Sequence, residues 1–431
     1  MDKPSLNRRR RWKIALVVVA CIIVFDCIIG ILLYQPLPDK LCSNSFHDRF
    51  LMHFIEPILR VVYLYPGKLC GNALCSLRWT NGSLGVIAAV TNPWFGDGQL
   101  NITTTTMNNV TVRVYSLKDS SSIISDGGVV YIHGGGYAIS SVEAYDGICR
   151  ELTKRIRPRL LVSVSYRLGP STIFLGAIDD CEAVVDYLME NGRAEYGIDP
   201  AKLVVMGDSA GGHAASVLAH RFSSSRKKNN LLGQALIYPV VQALNLRTSS
   251  YIDAANYSNL ALLLDPAGAA TSFLVFAGID MERHTEYIDA LLQNGHVSDR
   301  GRSLSHRLFS SLNSTTWKDW NRQMANSPTK VNGELANQLD PFILNPDFSP
   351  LLRESLSGLP SALVVTCQFD VLRDEGILYS ERLRAAGIPT THIHFENAFH
   401  GILNIYEQLD LGTEMLQTVA NWTAELLVSS A

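Results

Sequence analysis

From about residue 110 onward, the hydrophobic positions fall into short β-rich runs separated by longer amphipathic stretches. The runs are VTVRVYS (110 to 116), GVVYI (128 to 132), LLVSVSY (160 to 166), LVVM (203 to 206), QALIYPV (234 to 240), ALVVTCQF (362 to 369) and THIHFE (391 to 396). Between them lie stretches such as YDGICRELTKRI and DDCEAVVDYLMENG, whose apolar residues recur at helical spacing. Strands that alternate with helices, several of them apolar throughout, predict an α/β fold with a mostly parallel central sheet covered by helices on both faces.

Two regions break this rhythm: 45 to 100, containing FLMHFIEPILRVVYLY, and 245 to 345, polar and rich in helical pieces such as YIDALLQNG. Both read as cap elements over the C-terminal ends of the strands, within an organisation that assigns 101 to 431 to the main domain. A membrane-surface placement is the alternative for 50 to 65; burial of its apolar face in the protein is the preferred reading.

The N-terminus follows a third pattern. Residues 1 to 13 carry six Lys or Arg (Lys3, Arg8 to Arg11, Lys13), and Ile14 to Tyr34 is a 21-residue apolar run with one charge, Asp26. That length suits a membrane-spanning helix. Its 14 Ile, Leu, Val and Phe residues favour insertion by roughly 0.3 to 0.6 kcal/mol each, against about 2.5 to 3.5 kcal/mol for a central Asp. A cleaved signal peptide is the competing reading, but no small-residue cleavage pattern follows the run. The basic flank keeps residues 1 to 13 cytoplasmic and places everything after Tyr34 on the lumenal side. Six N-glycosylation sequons, at Asn81, Asn101, Asn109, Asn256, Asn313 and Asn421, fall there. So do six of the eight cysteines (Cys42, Cys70, Cys75, Cys149, Cys181, Cys367), whose pairing the sequence leaves open among 15 connectivities.

The bulk composition changes this picture little. A chain of 431 residues, 47% hydrophobic and 18% charged, has material for one large domain or two ordinary ones and excludes disorder. Its formal charge of −3, without a basic block beyond residue 13, gives no reason to expect a nucleic-acid partner.

The chemistry concentrates in a few stretches. LVVMGDSAGGHAASVLAH (203 to 220) holds G-x-S-x-G as Gly207 to Gly211, between a β-rich run and a small-residue helix. A strand-to-helix turn of this kind presents a serine, here Ser209, at the top of the sheet. A serine hydroxyl needs a base, and the base an acid to orient it. Asp370 follows a hydrophobic strand in ALVVTCQFDVLRDEG, where catalytic groups of open α/β sheets collect, whereas Asp374 reads as a helix cap or solvated group. Of the later histidines, His392 and His394 share one strand face and read as packing. His400, in the loop ENAFHG, is the candidate base. His213, inside the helix after Ser209, reads as structural.

HGGGY (133 to 137) then has a role: glycines let backbone N–H groups of Gly135 and Gly136, with Gly134 as a further candidate, join that of Ala210 around an oxyanion. A nucleotide-binding loop is disfavoured because G-x-G-x-x-G is not met. No metal or cofactor is implied.

HGGG, SVSYRLGP, GDSAGG, TCQFDVLRDEG and AFHG, in this order, resemble the hormone-sensitive-lipase group of α/β-hydrolases, and the anchor with QPLPD resembles its arylacetamide-deacetylase-like members. The resemblance implies an α/β-hydrolase fold, a Ser209, Asp370, His400 triad and an endoplasmic-reticulum enzyme with a lumenal site. Its expected substrates are lipophilic esters or acetamides. Two departures stand out: Arg167-Leu168-Gly169-Pro170-Ser171 where relatives often read RLAPE, and Tyr137-Ala138 where the deacetylase has Trp then Cys. The family's disulfide from that Cys to the position of Cys367 cannot form here, which leaves Cys149 as a substitute partner to be tested. Two other readings are open to the sequence: a non-catalytic ligand-binding or adhesion protein on the same fold, disfavoured because all three triad members are present, and a cytosolic lipase, disfavoured by the apolar run. Oligomeric state is left open by the sequence.

Overall fold

The β-rich runs pair into one eight-stranded sheet in the order β1-β2-β4-β3-β5-β6-β7-β8. The structure, a computed structural model, describes residues 36–59, 75, 79, 97–223, 231–257, 264–281, 283–309, 315–325 and 331–429. In chain order the elements are α1 (Phe46–Leu59), β1 (Leu100–Met107), β2 (Val110–Leu117), β3 (Ser125–Ile132), α2 (Asp146–Ile156), β4 (Pro158–Val164) and α3 (Gly176–Tyr196). There follow β5 (Leu203–Asp208), α4 (Ala210–Ser223), β6 (Gly233–Ile237), α5 (Ser249–Ala255), α6 (Pro266–Phe276), α7 (Tyr287–Leu292), α8 (Asp299–Phe309), α9 (Thr315–Ala325) and α10 (Gly333–Ile343). The chain closes with β7 (Ser361–Phe369), α11 (Arg373–Ala385), β8 (Thr390–Phe399) and α12 (Asp410–Ser429).

β1–β2 and β2–β4 are antiparallel, and every later pairing from β4–β3 to β7–β8 is parallel. β5, buried along its whole length, sits near the middle, and its C-terminal end carries the G-x-S-x-G turn. Alternation along β3 sorts its side chains between two cores: Val130 and Ile132 join the side built with α3, α4 and α11, while Val129 and Tyr131 join the side built with α2 and α12. The mostly parallel sheet with helices on both faces is therefore as expected from the apolar runs.

Two boundaries differ from expectation. β1, LNITTTTM, escapes the hydrophobic pattern because it is an edge strand whose inner residues are almost all exposed. QALIYPV ends as a strand at Ile237, since Tyr238 turns to φ 35° ahead of Pro239. The helices α5 to α10 occupy the insertion between β6 and β7, and α1 rests on the N-terminal end of α12.

The apolar run 14–34 lies outside the described residues, as do Asn81 and Asn313. Among the described residues no helix is long and apolar enough to cross a membrane. Asn101, Asn109, Asn256 and Asn421 are exposed. Cysteine pairing corrects the substitution considered above: Cys149 and Cys367 are both buried free thiols, as are Cys42 and Cys181. Cys75 is disulfide-bonded.

Candidate active site

The turn after β5 works only with glycine on both sides. A Cβ on Gly211 would lie 1.9 Å from the Ile132 carbonyl oxygen, and one on Gly207 would lie 2.4 Å from the Gly211 backbone. Ser209 itself takes φ 55°, a left-handed conformation that non-glycine residues adopt at a cost. This strained corner aims Ser209 Oγ upward while its N–H is fixed by the Ile237 carbonyl at 2.9 Å.

His400, in the loop after β8, brings Nε2 to 2.9 Å from Ser209 Oγ, and its Nδ1 lies 2.9 Å from Asp370 Oδ2. A carboxylate only accepts, so Nδ1 carries the hydrogen and Nε2 is left to accept from the serine. Asp370 is fixed in turn, because its Oδ1 accepts from Leu372 N–H at 2.8 Å. The His400 ring packs against Tyr238, with centroids 4.7 Å apart. Residues 191 and 30 positions apart in sequence thus meet in one hydrogen-bonded line.

Above Ser209 runs the loop 133–137, with Gly135 at φ 115°, Gly136 at φ 58° and Tyr137 at φ 60°. A Cβ on Gly135 would meet the Ile139 carbonyl oxygen at 2.2 Å, so only glycine closes this turn. Among the described residues no acceptor takes the N–H of Gly135 or Gly136, and both residues line the cavity above Ser209. Ala210 opens α4, so its N–H has no acceptor within the helix. Gly134 departs from expectation: its N–H donates to Asp208 Oδ1 at 2.9 Å and is not free for an oxyanion.

Asp208 is the residue that sequence reasoning passed over. Buried beside Ser209, its Oδ1 also accepts from Tyr131 Oη at 3.0 Å, and its Oδ2 accepts from Tyr145 Oη at 2.8 Å. Burial pushes its carboxyl up, against the pull of the Tyr145 and Tyr131 hydrogen bonds and of nearby His400. The signal was present as the one acid in an otherwise apolar strand end, LVVMGD. Its partners, 63 to 77 residues away, were not visible.

His213 is a packing residue with a definite tautomer. The Phe348 carbonyl, 3.1 Å away, can only accept, so Nε2 carries the hydrogen and Nδ1 accepts from Tyr137 Oη. Burial lowers its pKa to about 4 and keeps it neutral. His392 and His394 both bond Thr366 Oγ1 at 2.9 Å, away from Ser209. Asp374 accepts from Ser250 N–H and Arg373, tying α11 to α5.

The cavity over Ser209 and His400 holds about 300 Å³, walled by Ile139, Tyr145, Leu264, Phe273 and Leu372 among others. A smaller pocket of about 30 Å³ opens beside Gly136 and Ala210, between Tyr137, Phe276 and Phe348.

A family model described as alpha/beta hydrolase fold matches residues 129–304 and 339–404. Arylacetamide deacetylase of Oryctolagus cuniculus is 34% identical over 341 residues, covering 77% of this chain and 82% of its own. Neutral cholesterol ester hydrolase 1 of Mus musculus is 32% identical over 383 residues, covering 86% and 89%. Among solved structures, an arylesterase superposes with a TM-score of 0.57 at 21% identity, covering 89% of this chain and 99% of its own, a likeness of fold. The chain belongs to the arylacetamide deacetylase-like members of the hormone-sensitive-lipase group and is an α/β-hydrolase of the serine ester hydrolase class.

Proposed function

We propose that Ser209, His400 and Asp370 form the catalytic triad of a membrane-anchored hydrolase that cleaves carboxylic esters or acetamides of lipophilic compounds. The observation that carries this is the line Ser209 Oγ, His400 Nε2, His400 Nδ1, Asp370 Oδ2, with 2.9 Å at each hydrogen bond. Ser209 Oγ attacks the carbonyl carbon as His400 Nε2 takes its proton. The C=O π pair moves onto oxygen, which the N–H groups of Gly135, Gly136 and Ala210 receive. Collapse breaks the bond to the leaving oxygen or nitrogen, which collects the proton from His400. Water then repeats the sequence on the acyl-enzyme and frees the acid.

The pocket beside Gly136 and Ala210 takes the acyl group in this reading. At about 30 Å³, one water's share of the liquid, it has space for the methyl of an acetyl group, while the cavity of about 300 Å³ receives the larger alcohol or amine. The names of the relatives, arylacetamide deacetylase and neutral cholesterol ester hydrolase, support an apolar amine or alcohol as the leaving group. Helices α5 to α10 act as the cap, since Leu264, Ala269, Ser272 and Phe273 at and beside α6 wall the cavity. The basic tail and the apolar run 14–34 support a type II anchor in the endoplasmic-reticulum membrane with a lumenal domain. Exposure of Asn101, Asn109, Asn256 and Asn421 suits glycans there.

The test is Ser209→Ala in purified full-length protein. It should abolish both fluorophosphonate labelling and turnover of a p-nitrophenyl acetate; labelling that survives the substitution sinks the assignment.

A further inference from the structure

Helix α1, FHDRFLMHFIEPIL, is amphipathic in the wrong sense for water. Asp48, Met52 and Glu56, four residues apart, point inward and are buried. Phe46, Phe50 and Phe54, offset from that stripe by two positions and so on the opposite face, are 88%, 51% and 51% exposed. Phe46 stacks on Phe50 with centroids 6.1 Å apart, and Phe50 meets Phe54 edge to face at 5.1 Å. The orientation is locked: Asp48 Oδ1 and Oδ2 accept from the N–H groups of Asp410 and Leu411 at 2.7 and 2.9 Å, capping α12. Turning α1 to hide the phenylalanines would uncap α12. On the near side, Arg49 holds the carbonyls of Leu37, Pro38 and Leu41, so the chain leading into α1 is folded against it.

We propose that α1 lies in the membrane interface, with Phe46, Phe50 and Phe54 entering the leaflet, as a second contact beside the anchor. The proposal rests on the anchored reading above, and three features favour lipid as the occupant. The apolar run ends at Tyr34, only 12 residues before Phe46, and the intervening chain is folded rather than extended, so α1 sits where that run leaves a bilayer. The exposed face is aromatic without a charge among the three residues, as interfacial helices require. Finally, α1 is bonded to the segment that carries the base. Cys42 N–H donates to the Asn397 carbonyl at 2.9 Å, three residues before His400, and Asp48 caps the helix that follows. Seating α1 in lipid therefore holds the loop of His400 and the cavity-lining Asn404 at the bilayer surface, where a membrane-dissolved ester reaches the cavity without crossing water.

The full chain is reconstituted in dioleoyl phosphatidylcholine vesicles with photoreactive benzoylphenylalanine at position 19, 50 or 119, one site per preparation, and lipid adducts are read by mass. Asp119, at the opposite end of the sheet, is the solvent control. Positions 19 and 50 should capture lipid and 119 should not. Failure at 19 overturns the anchored reading. Capture at 19 without capture at 50, capture at 50 no greater than at 119, or adducts at 50 only with protein, residues 60–96 included, overturns the inference for α1 alone. In the triple variant Phe46→Ser, Phe50→Ser, Phe54→Ser, kcat/KM for a long-alcohol ester dissolved in the vesicles should fall at least roughly fivefold, while soluble p-nitrophenyl acetate stays within about twofold. Equal rates on the vesicle substrate remove α1 from substrate capture.

Discussion

Replacing Asp208 tests how the loop 133–137, the proposed oxyanion site, is held. Asp208 touches no reacting atom, yet its carboxylate accepts from Gly134 N–H, Tyr131 Oη and Tyr145 Oη, all buried. In Asp208→Ala three donors lose one acceptor. A buried donor left unsatisfied costs about 1 to 3 kcal/mol, and recovery of the carboxylate's desolvation offsets part of the total, so a net loss on the order of 3 to 5 kcal/mol is expected. The kinetic effect is separate. Gly134 is joined directly to Gly135, and the loss of one aligned oxyanion donor is worth about 2.7 to 4 kcal/mol, or 10²- to 10³-fold in kcat. In Asp208→Asn, the amide oxygen can still accept from Gly134 and Tyr131 while Nδ2 faces Tyr145 Oη, which can accept; that variant should keep kcat within about tenfold. The assay is kcat and KM on p-nitrophenyl acetate at a temperature where circular dichroism shows each variant folded. A folded Asp208→Ala enzyme with kcat within about threefold of the parent would refute the argument, because the loop would then be holding its own shape.

Two further outcomes are expected. Burial holds His133, His213 and His296 at pKa values of about 4, against 6.5 when unfolded. Above pH 6.5 both states are neutral and stability is complete; as pH falls toward 4 the unfolded chain takes up protons the folded chain refuses. Each histidine should therefore remove about 2 kcal/mol by pH 5, and a urea midpoint unchanged between pH 7 and pH 5 would contradict this. Phe276→Ala should open the pocket beside Gly136, raising kcat/KM for butyrate over acetate esters by about fourfold per methylene accommodated; an unchanged acyl-length profile would show that the acyl group goes elsewhere.

The strand-turn-helix order was readable because β3 to β7 are buried along most of their length on both faces and so are predominantly apolar. β1 stayed hidden for the opposite reason: an exposed edge strand of four consecutive threonines has no core-facing alternation to read. Ser209, Asp370 and His400 could be picked out because each follows the C-terminal end of a β-rich run, a local feature. What pairs across the chain was not readable. Gly134 and Gly135 are neighbours of one type, yet the N–H of Gly134 is taken by Asp208, 74 residues away, while Gly135 lines the cavity with no acceptor for its N–H among the described residues. Composition likewise gave α1 an apolar face but not its direction, which depends on Asp48 reaching a helix that begins 362 residues later.

Long-range bonds likewise hold the far end of the glycine loop 133–137. Tyr137 sits at φ 60°, a conformation that costs a non-glycine residue on the order of 1 kcal/mol or more. Two contacts offset it: the ring stacks on Phe276 at 4.1 Å and 8°, and the hydroxyl donates to His213, itself anchored on the Phe348 carbonyl. The loop is thus fixed at Gly134 through Asp208 and at Tyr137 through His213, on either side of Gly135 and Gly136, which line the cavity. Neither hold uses a residue of the Ser209, His400, Asp370 line. Ser272, which lines both cavities and takes part in neither hold, can then be exchanged while the loop stays in place, whereas Phe276 both walls the smaller pocket and carries part of the hold on Tyr137.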